Sequence, residues 1–427
     1  MSKIPSIYLQ PTIYKAGKLL SALPTNGAAD LTFTRADGAG GGKGSRVNQN
    51  GLIEIMDANV PRLDYYNGGC PSLLLEPTSA NKLLQSEDYS ISWSRPNLTA
   101  TLSTVVNPRG LASSYKLEAT STNQPRIEQS STVPASNTIH TFSVYVKRGN
   151  SDFVALSRFS GGQFAIFNLA IGTVKSSTSE NAKIESFDNG WFRISMTQTV
   201  LSADSNNLWK IHSCIETSYS AGVVGNYFYA WGTQLEELAT PTSYIPTTTA
   251  IATRLQDTAS KTGLGSYINS TEGVLYYEFN PNGILGINKF ITLNNSTGIY
   301  QDGSLQLYQT TGNQIRFRYD VSGVNQADII SPLTYLYGNI KVAALYSENK
   351  FQLWVNGFKV GEDLLGSVAA LNTFVKLEFS RNNLLHFFGK VKDLRIYNIA
   401  LTDAELQELT GYTSYTAMAN ELNYNII

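Results

Sequence analysis

The stretch "KFQLWVNGFKV", residues 350–360, constrains what this chain can fold into more than any other. Phe351, Leu353 and Val355 alternate with Gln352, Trp354 and Asn356. A side-chain period of two puts the first set on one face of a strand and the second on the other. Asn356-Gly357 then supplies the residues that a tight hairpin turn requires. The same grammar recurs elsewhere. "NAKIESFDNGWFRISMTQTV" turns at Asn189-Gly190. "TIHTFSVYVKRG" places Ile139, Thr141, Ser143 and Tyr145 on one face and Phe142, Val144 and Val146 on the other. "DFVALSRFSGGQFAIFNLAIGTV" gives two strands around Gly161-Gly162, and "GNYFYAWGTQLEE" gives an aromatic strand. Short strands at regular spacing, with turns between them, predict a sandwich or jelly roll.

Two such series are separated by residues 238–268, which are rich in Thr, Ser, Pro and Gly and read as a connection between domains. The second series runs from "EGVLYYEFN" to "FGKVKDLRIYN", with Asp302-Gly303 as a further turn signal. One short helix closes it. In "LTDAELQELTG", Thr402 and Glu405 have capping-box spacing and Gly411 suits the stop. Residues 1–80 read differently, because Pro5, Pro11, Pro24, Pro61, Pro71 and Pro77 interrupt short apolar runs. The expectation is a mainly β chain. An irregular, extended N-terminal region at 1–80 is followed by β-sandwiches at 81–255 and 256–427, the second with a short helix and tail. The tail "YTSYTAMANELNYNII" is apolar enough to pack or to meet a partner.

Composition narrows the function classes. Charged residues make up 15% of the chain and the formal net charge is −1, so the strong basic face of a nucleic-acid binder is not expected. No apolar run reaches the roughly 18 residues of a membrane span, and the N-terminus lacks the apolar core of a signal peptide. Cys70 and Cys214 are far apart and read as two separate free thiols.

Gly38, Gly40, Gly41, Gly42 and Gly44 surround Lys43, which raises the question of a phosphate loop. That motif needs glycine five positions before the glycine-lysine pair and a hydroxyl directly after it. Here Asp37 and Gly44 occupy those places, and strand-like segments flank the stretch. The expectation is a mobile loop, since glycine is free at positive φ.

The C-terminal series, about residues 270–411, resembles the concanavalin A-like, laminin-G-type sandwich of lectins and glucanases. The resemblance rests on "FQLWVNGFKVGE" and "GKVKDLRIYNIALTDAELQEL". Residues 14–255 resemble a set of tailed-phage virion proteins, particularly of Bacteroidetes phages, that form head spikes or tail fibres. The matching text includes "YKAGKLLSALPTNGAADLTFTR", "PRLDYYNGGCPSLLLEPTSANKLLQSEDYS" and "SYIPTTTAIATR". Within it, "TFSVYVKRG", "NGWFRISMT" and "YFYAWGTQLEE" look like the carbohydrate-binding-module-type jelly roll of such proteins. The link "ADGAGGGKGS" is longer than the family's usual one. The resemblance implies a non-enzymatic head fibre, spike or tail fibre of a virion. Its N-terminal region would attach to capsid, portal or tail proteins. By analogy it would be a homo-oligomer, a trimer, displaying sandwiches to host-surface glycans. Nucleic acid and membrane insertion are not expected. A bacterial surface or secreted lectin is the alternative, and a glycan depolymerase a further one.

The enzyme reading has a geometric requirement. Retaining glycosidases hold two carboxylates about 5–5.5 Å apart, and one concanavalin A-like family carries them on a strand as E-x-D-x-x-E. Glu54 and Asp57 are three apart, so a strand points them to opposite faces. Asp302 and "GED" at Gly361–Asp363 sit at turns or after them. His140, His212 and His386 show neither metal spacing nor a nucleophile elbow nearby, and read as packed or surface residues. No cofactor is expected. Calcium, which related sandwiches sometimes bind, has Asp302, Asn294, Asn295 and Asp320 as candidates, with turn chemistry as their plainer role. Glycan binding would use aromatic faces. Trp354, Tyr308, Tyr319 and Tyr346 are the candidates in the second sandwich, Trp354 first, because Leu353 and Val355 take the buried face. Trp191, Trp209 and Trp231 are possible in the first, with a core role as the alternative. The failed phosphate motif yields a prediction: Lys43→Ala leaves the thermal midpoint and assembly unchanged, and a nucleotide-dependent defect in that variant would restore the phosphate reading.

Overall fold

The computed structural model describes residues 3–66, 69–158, 162–284, 286–295, 303–336 and 338–412. The chain forms two compact units and passes between them four times. One unit holds Met1–Arg35, Asn59–Pro77 and Gln256–Ile427; the other holds Ala36–Ala58 and Thr78–Leu255. Residues 1–80 are therefore not a region apart. Their short strands join both sheets of the first unit and form two-stranded sheets in the second.

The first unit is a sandwich of two antiparallel sheets. One has the strand order Phe358–Asp363, Lys350–Val355, Ile340–Ser347, Gly273–Asn280, Gly389–Tyr397, Ser72–Leu75 and Leu63–Asp64, and Ile7–Leu9 also pairs with Gly389–Tyr397. The other, nine-stranded, has the order Tyr14–Lys15, Lys18–Leu19, Leu31–Thr34, Thr258–Thr262, Lys376–Glu378, Lys289–Asn294, Ser304–Gln309, Gln314–Val321 and Val324–Thr334. Between them lies one core, in which Leu275, Leu293, Leu307, Phe317 and Leu353 pack with Ile7, Leu31, Phe33 and Leu73 from the N-terminal strands. The turn between Lys350–Val355 and Phe358–Asp363 is the expected one, with Asn356 at φ 50° and Gly357 at φ 87°. Asp302, Gly161 and residues 413–427 lie outside the described residues.

The strand Lys350–Val355 is buried on both faces, which its alternation does not announce. Helix Asp403–Thr410 covers the outer side, and Trp354 packs there with Val274, Tyr276, Leu345, Tyr397, Leu401 and Leu406. The capping box holds the helix start. Glu405 N donates to Thr402 Oγ1 at 3.3 Å, and Thr402 N donates to Glu405 Oε2 at 2.8 Å. The stop differs from expectation. Gly411 is extended, at φ −76° and ψ 171°, rather than left-handed. Glycine is used there for space, since a Cβ would lie 2.7 Å from Gln407 O.

The second unit is a jelly-roll-like pair of sheets. Six strands run in the order Leu98–Ser103, Ser114–Ala119, Tyr227–Glu236, Thr138–Arg148, Trp191–Val200, Asn181–Phe187. Five run Arg126–Ser131, Asn207–Ser213, Phe153–Arg158, Phe164–Asn168, Thr173–Ser177. Phe142, Val144 and Val146 face the core as expected. The opposite face is buried too: Tyr145, Trp191, Trp231 and Tyr244 close around Ile53, which the hairpin Gly44–Val47/Ile53–Met56 brings there. The glycine-rich link is packed rather than mobile. A Cβ at Gly38 would lie 1.8 Å from Thr253 O, at Gly40 2.1 Å from Ile251 O, and at Gly42 2.0 Å from Thr253 O. Lys43 Nζ pairs with Asp57 at 2.6 Å on the surface, where such pairs contribute about 0–1 kcal/mol. Cys70 is exposed and Cys214 buried, both as free thiols.

Two charged features sit inside the first unit. Arg62, fully buried, donates to Glu76 Oε2 at 2.6 Å and also to Asp257 Oδ2. Glu76 N donates to Asp257 Oδ2 at 2.8 Å, and Arg35 Nη1 lies 3.9 Å from Asp257 Oδ1. Burial opposes the charge on Arg62, but Asp257 and Glu76 outweigh it and hold the guanidinium protonated. The other feature is Lys289. Its amine is buried and donates to Gln309 Oε1 at 2.8 Å, and among the described residues it has no ion-pair partner. Burial pushes its pKa down to about 8.

Two predictions follow from these groups. Asp257→Asn leaves Arg62 short of one buried counter-charge and should cost about 3–5 kcal/mol. Urea unfolding followed by hydrogen exchange in Gly273–Asn280 checks it, and unchanged protection there contradicts it. For Lys289 the folded pKa is depressed, so the unfolded chain binds more protons between about pH 8 and the ordinary lysine value. Stability from this group therefore rises with pH across that window, and the penalty is full below it. Lys289→Met should be more stable than the parent at pH 7 by up to roughly 3 kcal/mol, from about 1.4 kcal/mol per pKa unit. The gap should close as pH approaches 10, measured as paired urea midpoints.

Candidate functional site

The nine-stranded sheet turns Leu293, Leu305, Leu307, Phe317 and Leu377 into the core. Alternation then points their neighbours outward. The register lines these up in rows across the sheet. One row reads Ser260, Glu378, Thr292, Gln306, Arg318, Asp328. The next reads Thr262, Lys376, Asn294, Ser304, Asp320, Asn325. A third passes Phe290, Tyr308, Arg316 and Ile330. Most of this outward face is amide, hydroxyl and charge, an unusual layer for positions as buried as Thr292, Asn294, Ser304 and Gln306.

Each carboxylate on this face has a cationic partner. Lys376 Nζ donates to Glu378 Oε2 at 2.6 Å, and Asn294 Nδ2 donates to Glu378 Oε1 at 2.6 Å. Arg318 Nε donates to Asp320 Oδ2 at 2.9 Å, and Gln306 Nε2 donates to the same oxygen at 3.0 Å. Arg316 grips Asp328 through two nitrogens. Each of these carboxylate oxygens is therefore engaged by a neighbouring side chain, whereas a glycosidase needs two carboxyls that reach the glycosidic bond.

A cleft of about 260 Å³ lies beside the interior strand Thr258–Thr262. Its floor is Thr258, Ala259 and Ser260. Its wall is the hairpin Ser380–Arg381/Leu385–His386 with Phe379. Asn382 and Asn383, at φ 58° and 56°, make that turn, and asparagine is the non-glycine residue that tolerates the left-handed region best. Thr292 Oγ1 donates to Ser380 O and ties the hairpin to the sheet. Asn383 and His386 then reach the cleft, opposite Gln256. His386 is 8% exposed, and burial lowers its pKa, so the ring is neutral at pH 7. Gln256 Nε2 lies 3.1 Å from His386 Nε2. A neutral ring accepts there, which assigns its proton to Nδ1. The cleft thus offers amides, hydroxyls and a neutral imidazole, a set suited to hydrogen-bonding hydroxyl groups.

The aromatic residues expected to bind sugar are elsewhere. Tyr319 and Tyr346 are fully buried in the core, where their hydroxyls donate to Ser270 O at 3.0 Å and Asn269 O at 2.6 Å. Trp354 is under the helix, 5% exposed. Tyr308 is on the outward face but stacks on Phe290 at 4.1 Å and is 6% exposed. None of the four presents a ring face to solvent. Trp191, Trp209 and Trp231 are buried in the second unit. Of the calcium candidates, Asp320 is held by Arg318 and Asn294 by Glu378, Asn295 lies at the end of its strand, and Asp302 is outside the described residues. Among the described residues no group of three His, Cys, Asp or Glu could hold a metal ion. Glu54 pairs with Arg46 at 2.9 Å and Asp57 with Lys43 at 2.6 Å. His140 and His212 are buried, and burial pushes His212 down to about 3. Sequence reasoning missed Gln256, Ser260, Asn383 and His386. The Asn382-Asn383 pair was the available signal, a turn doublet separated from the histidine by Leu384 and Leu385.

The profile of the concanavalin A-like lectin/glucanases superfamily matches residues 287–407. It spans strands of both sheets but not the N-terminal strands that complete them. Similar solved structures include the CBM40 module of Ruminococcus gnavus IT-sialidase, with 18% identity over 33% of this chain and 84% of that chain, at a TM-score of 0.30. A SAP-like pentraxin from Limulus polyphemus has 12% identity over 35% of this chain and 73% of that chain, also at 0.30. The leech intramolecular trans-sialidase has 22% identity over 34% of this chain and 24% of that chain, at 0.27. No curated protein matches the chain. Residues 287–407 are thus similar to a concanavalin A-like lectin/glucanase domain, and the chain is mainly β-sandwich.

Proposed function

We propose that the chain is a non-enzymatic glycan-binding protein, a head fibre, spike or tail fibre component of a phage particle that engages host-surface saccharides. The observation that carries the binding half is the cleft beside the polar sheet face, where Gln256, Ser260, Asn383 and His386 converge. Its volume, about 260 Å³, suits a single sugar unit or the end of a chain rather than a long polymer. Binding without hydrolysis is supported by the pairing of Glu378 with Lys376, Asp320 with Arg318 and Asp328 with Arg316. The virion half rests on the resemblance of residues 14–255 to phage fibre and spike proteins. A shallow polar cleft binds weakly, and many copies on one particle would add by avidity. A homotrimer is the corresponding arrangement.

Binding is tested with the full chain on a glycan array. Gln256→Ala removes one amide, and Asn383→Gly removes another while keeping the left-handed turn. Each lost hydrogen bond is worth about 0.5–1.5 kcal/mol, so each variant should bind about 3–10-fold more weakly with unchanged circular dichroism. Unaltered binding in both variants would contradict the cleft assignment. Incubation with host capsule should release no reducing ends. Gold-labelled antibody should decorate intact particles at one structure, and label on the bacterial surface alone would favour a cellular lectin.

A further inference from the structure

We propose that the second unit carries its own saccharide site, in an open cleft of about 490 Å³ lined by Gln85, Glu87, Asp88, Arg109, Tyr115 and Thr248. That volume is within the range of small-molecule sites, about 300–1,000 Å³. The ligand class is argued from these groups alone and does not rest on the lectin cleft of the first unit.

The groups are held in place yet keep hydrogen-bonding capacity. Asp88 Oδ1 accepts from Ser90 N at 2.8 Å, Ser90 Oγ at 2.6 Å and Tyr115 OH at 2.6 Å. Burial works against ionisation, but the bonds from Ser90 and Tyr115 outweigh it and keep the carboxyl below its usual value. Among the described residues Asp88 Oδ2 has no partner, so it remains an acceptor. Glu87 Oε1 accepts from Tyr244 OH at 3.1 Å. Arg109 Nη1 stands 3.6 Å from the same Glu87 oxygen, which is too far for a hydrogen bond. The pair is oriented without being closed, and a ligand hydroxyl can donate to Glu87 while its neighbour accepts from Arg109.

The backbone supports that arrangement. Arg109 is placed by a turn in which its N–H donates to Asn107 Oδ1 at 2.8 Å and Leu111 N donates to the same oxygen at 3.2 Å. Gln85 is at φ 52°, a region where glutamine is rare, and such outliers gather at functional sites. It is pinned there by its own N–H to Thr248 O at 2.8 Å and by Trp93 Nε1 to its carbonyl at 3.1 Å. Its side-chain amide has no partner among the described residues. Leu102, 63% exposed, lies at the rim and offers an apolar patch to the C–H face of a sugar ring.

Two carboxylates face Arg109, and Arg95 also acts on Asp88, so the charges of the site nearly cancel. Acceptor oxygens on Glu87 and Asp88 beside the donors of Arg109 suit a saccharide with vicinal hydroxyls. An isolated cation fits poorly, because Arg109 occupies the same mouth.

The experiment titrates the full chain with a panel of neutral di- to tetrasaccharides of glucose, galactose, mannose and xylose, followed by native mass spectrometry and calorimetry. Arg109→Ala and Glu87→Gln should each weaken binding of at least one member by tenfold or more. Both variants should retain the parent's circular dichroism, since the side chains are about one-third exposed. The effect should persist in a chain carrying Gln256→Ala and Asn383→Gly, which disables the lectin cleft instead. Loss of binding only in the latter pair would uphold the lectin cleft and overturn this one. A panel in which neither Arg109→Ala nor Glu87→Gln changes any affinity also overturns it.

Discussion

The first unit depends on a buried ion cluster at the places where the chain leaves and re-enters it. Arg35, Arg62, Glu76 and Asp257 each lie within a few residues of one of the four crossings. Arg62 bridges Glu76 and Asp257, and the backbone of Glu76 and Asp257 is paired as well, with Asp257 N donating to Glu76 O at 3.0 Å. Three segments distant in sequence are thereby fixed to one another. Two strands of the sandwich, Thr258–Thr262 and Ser72–Leu75, begin or end beside this cluster. Buried ion pairs are weak contributors to net stability, because desolvation cancels most of the attraction. Their consequence here is specificity: a misplaced segment would leave a guanidinium or carboxylate uncompensated in the interior.

With its segments fixed, each unit builds a third layer on an outer sheet face. In the first unit the helix seals Trp354 and Tyr276. In the second, the hairpin carrying Ile53 seals Tyr145, Trp191 and Trp231. These covers decide where function can reside, because they take the large aromatic faces out of reach. What stays open is polar: the cleft beside Thr258–Thr262 in one unit and the mouth between Gln85 and Arg109 in the other.

This explains what the sequence made legible. Local rules worked where the determining partners are local. Asn356-Gly357 made its left-handed turn, and Thr402 with Glu405 made its capping box. The division into two β-sandwiches followed from strand spacing. Period-two reasoning also sorted Phe142, Val144 and Val146 into the core. It mis-sorted Trp354, because alternation tells one face from the other but not whether the second face is covered by a helix fifty residues later. The same limit hid the roles of residues 1–80. A run such as "IYL" is too short to show a period, and its partner, Gly389–Tyr397, is at the far end of the chain. The cleft residues were illegible for a related reason: Gln256 and His386 are adjacent only through the nine-stranded sheet and its hairpin.

The glycine-rich link sharpens the point, since the same composition supports opposite conclusions. Glycine can be chosen for freedom of φ or for the absence of a Cβ, and sequence does not separate the two. Gly42 has an ordinary φ of −62°, so conformational freedom is not its reason. Gly38, at φ −95°, is alike in this. Both press their Cα against the backbone around Thr253, where a methyl group would overlap the carbonyl oxygen. Gly41 differs: it is at φ 71° and a Cβ there would meet nothing within 4 Å. Alternate glycines in one short link therefore serve different ends. The link does not loosen the second unit. It lets the chain lie flat along Ile251–Thr253, and Lys43 is carried to the surface pair with Asp57 rather than toward a bound phosphate.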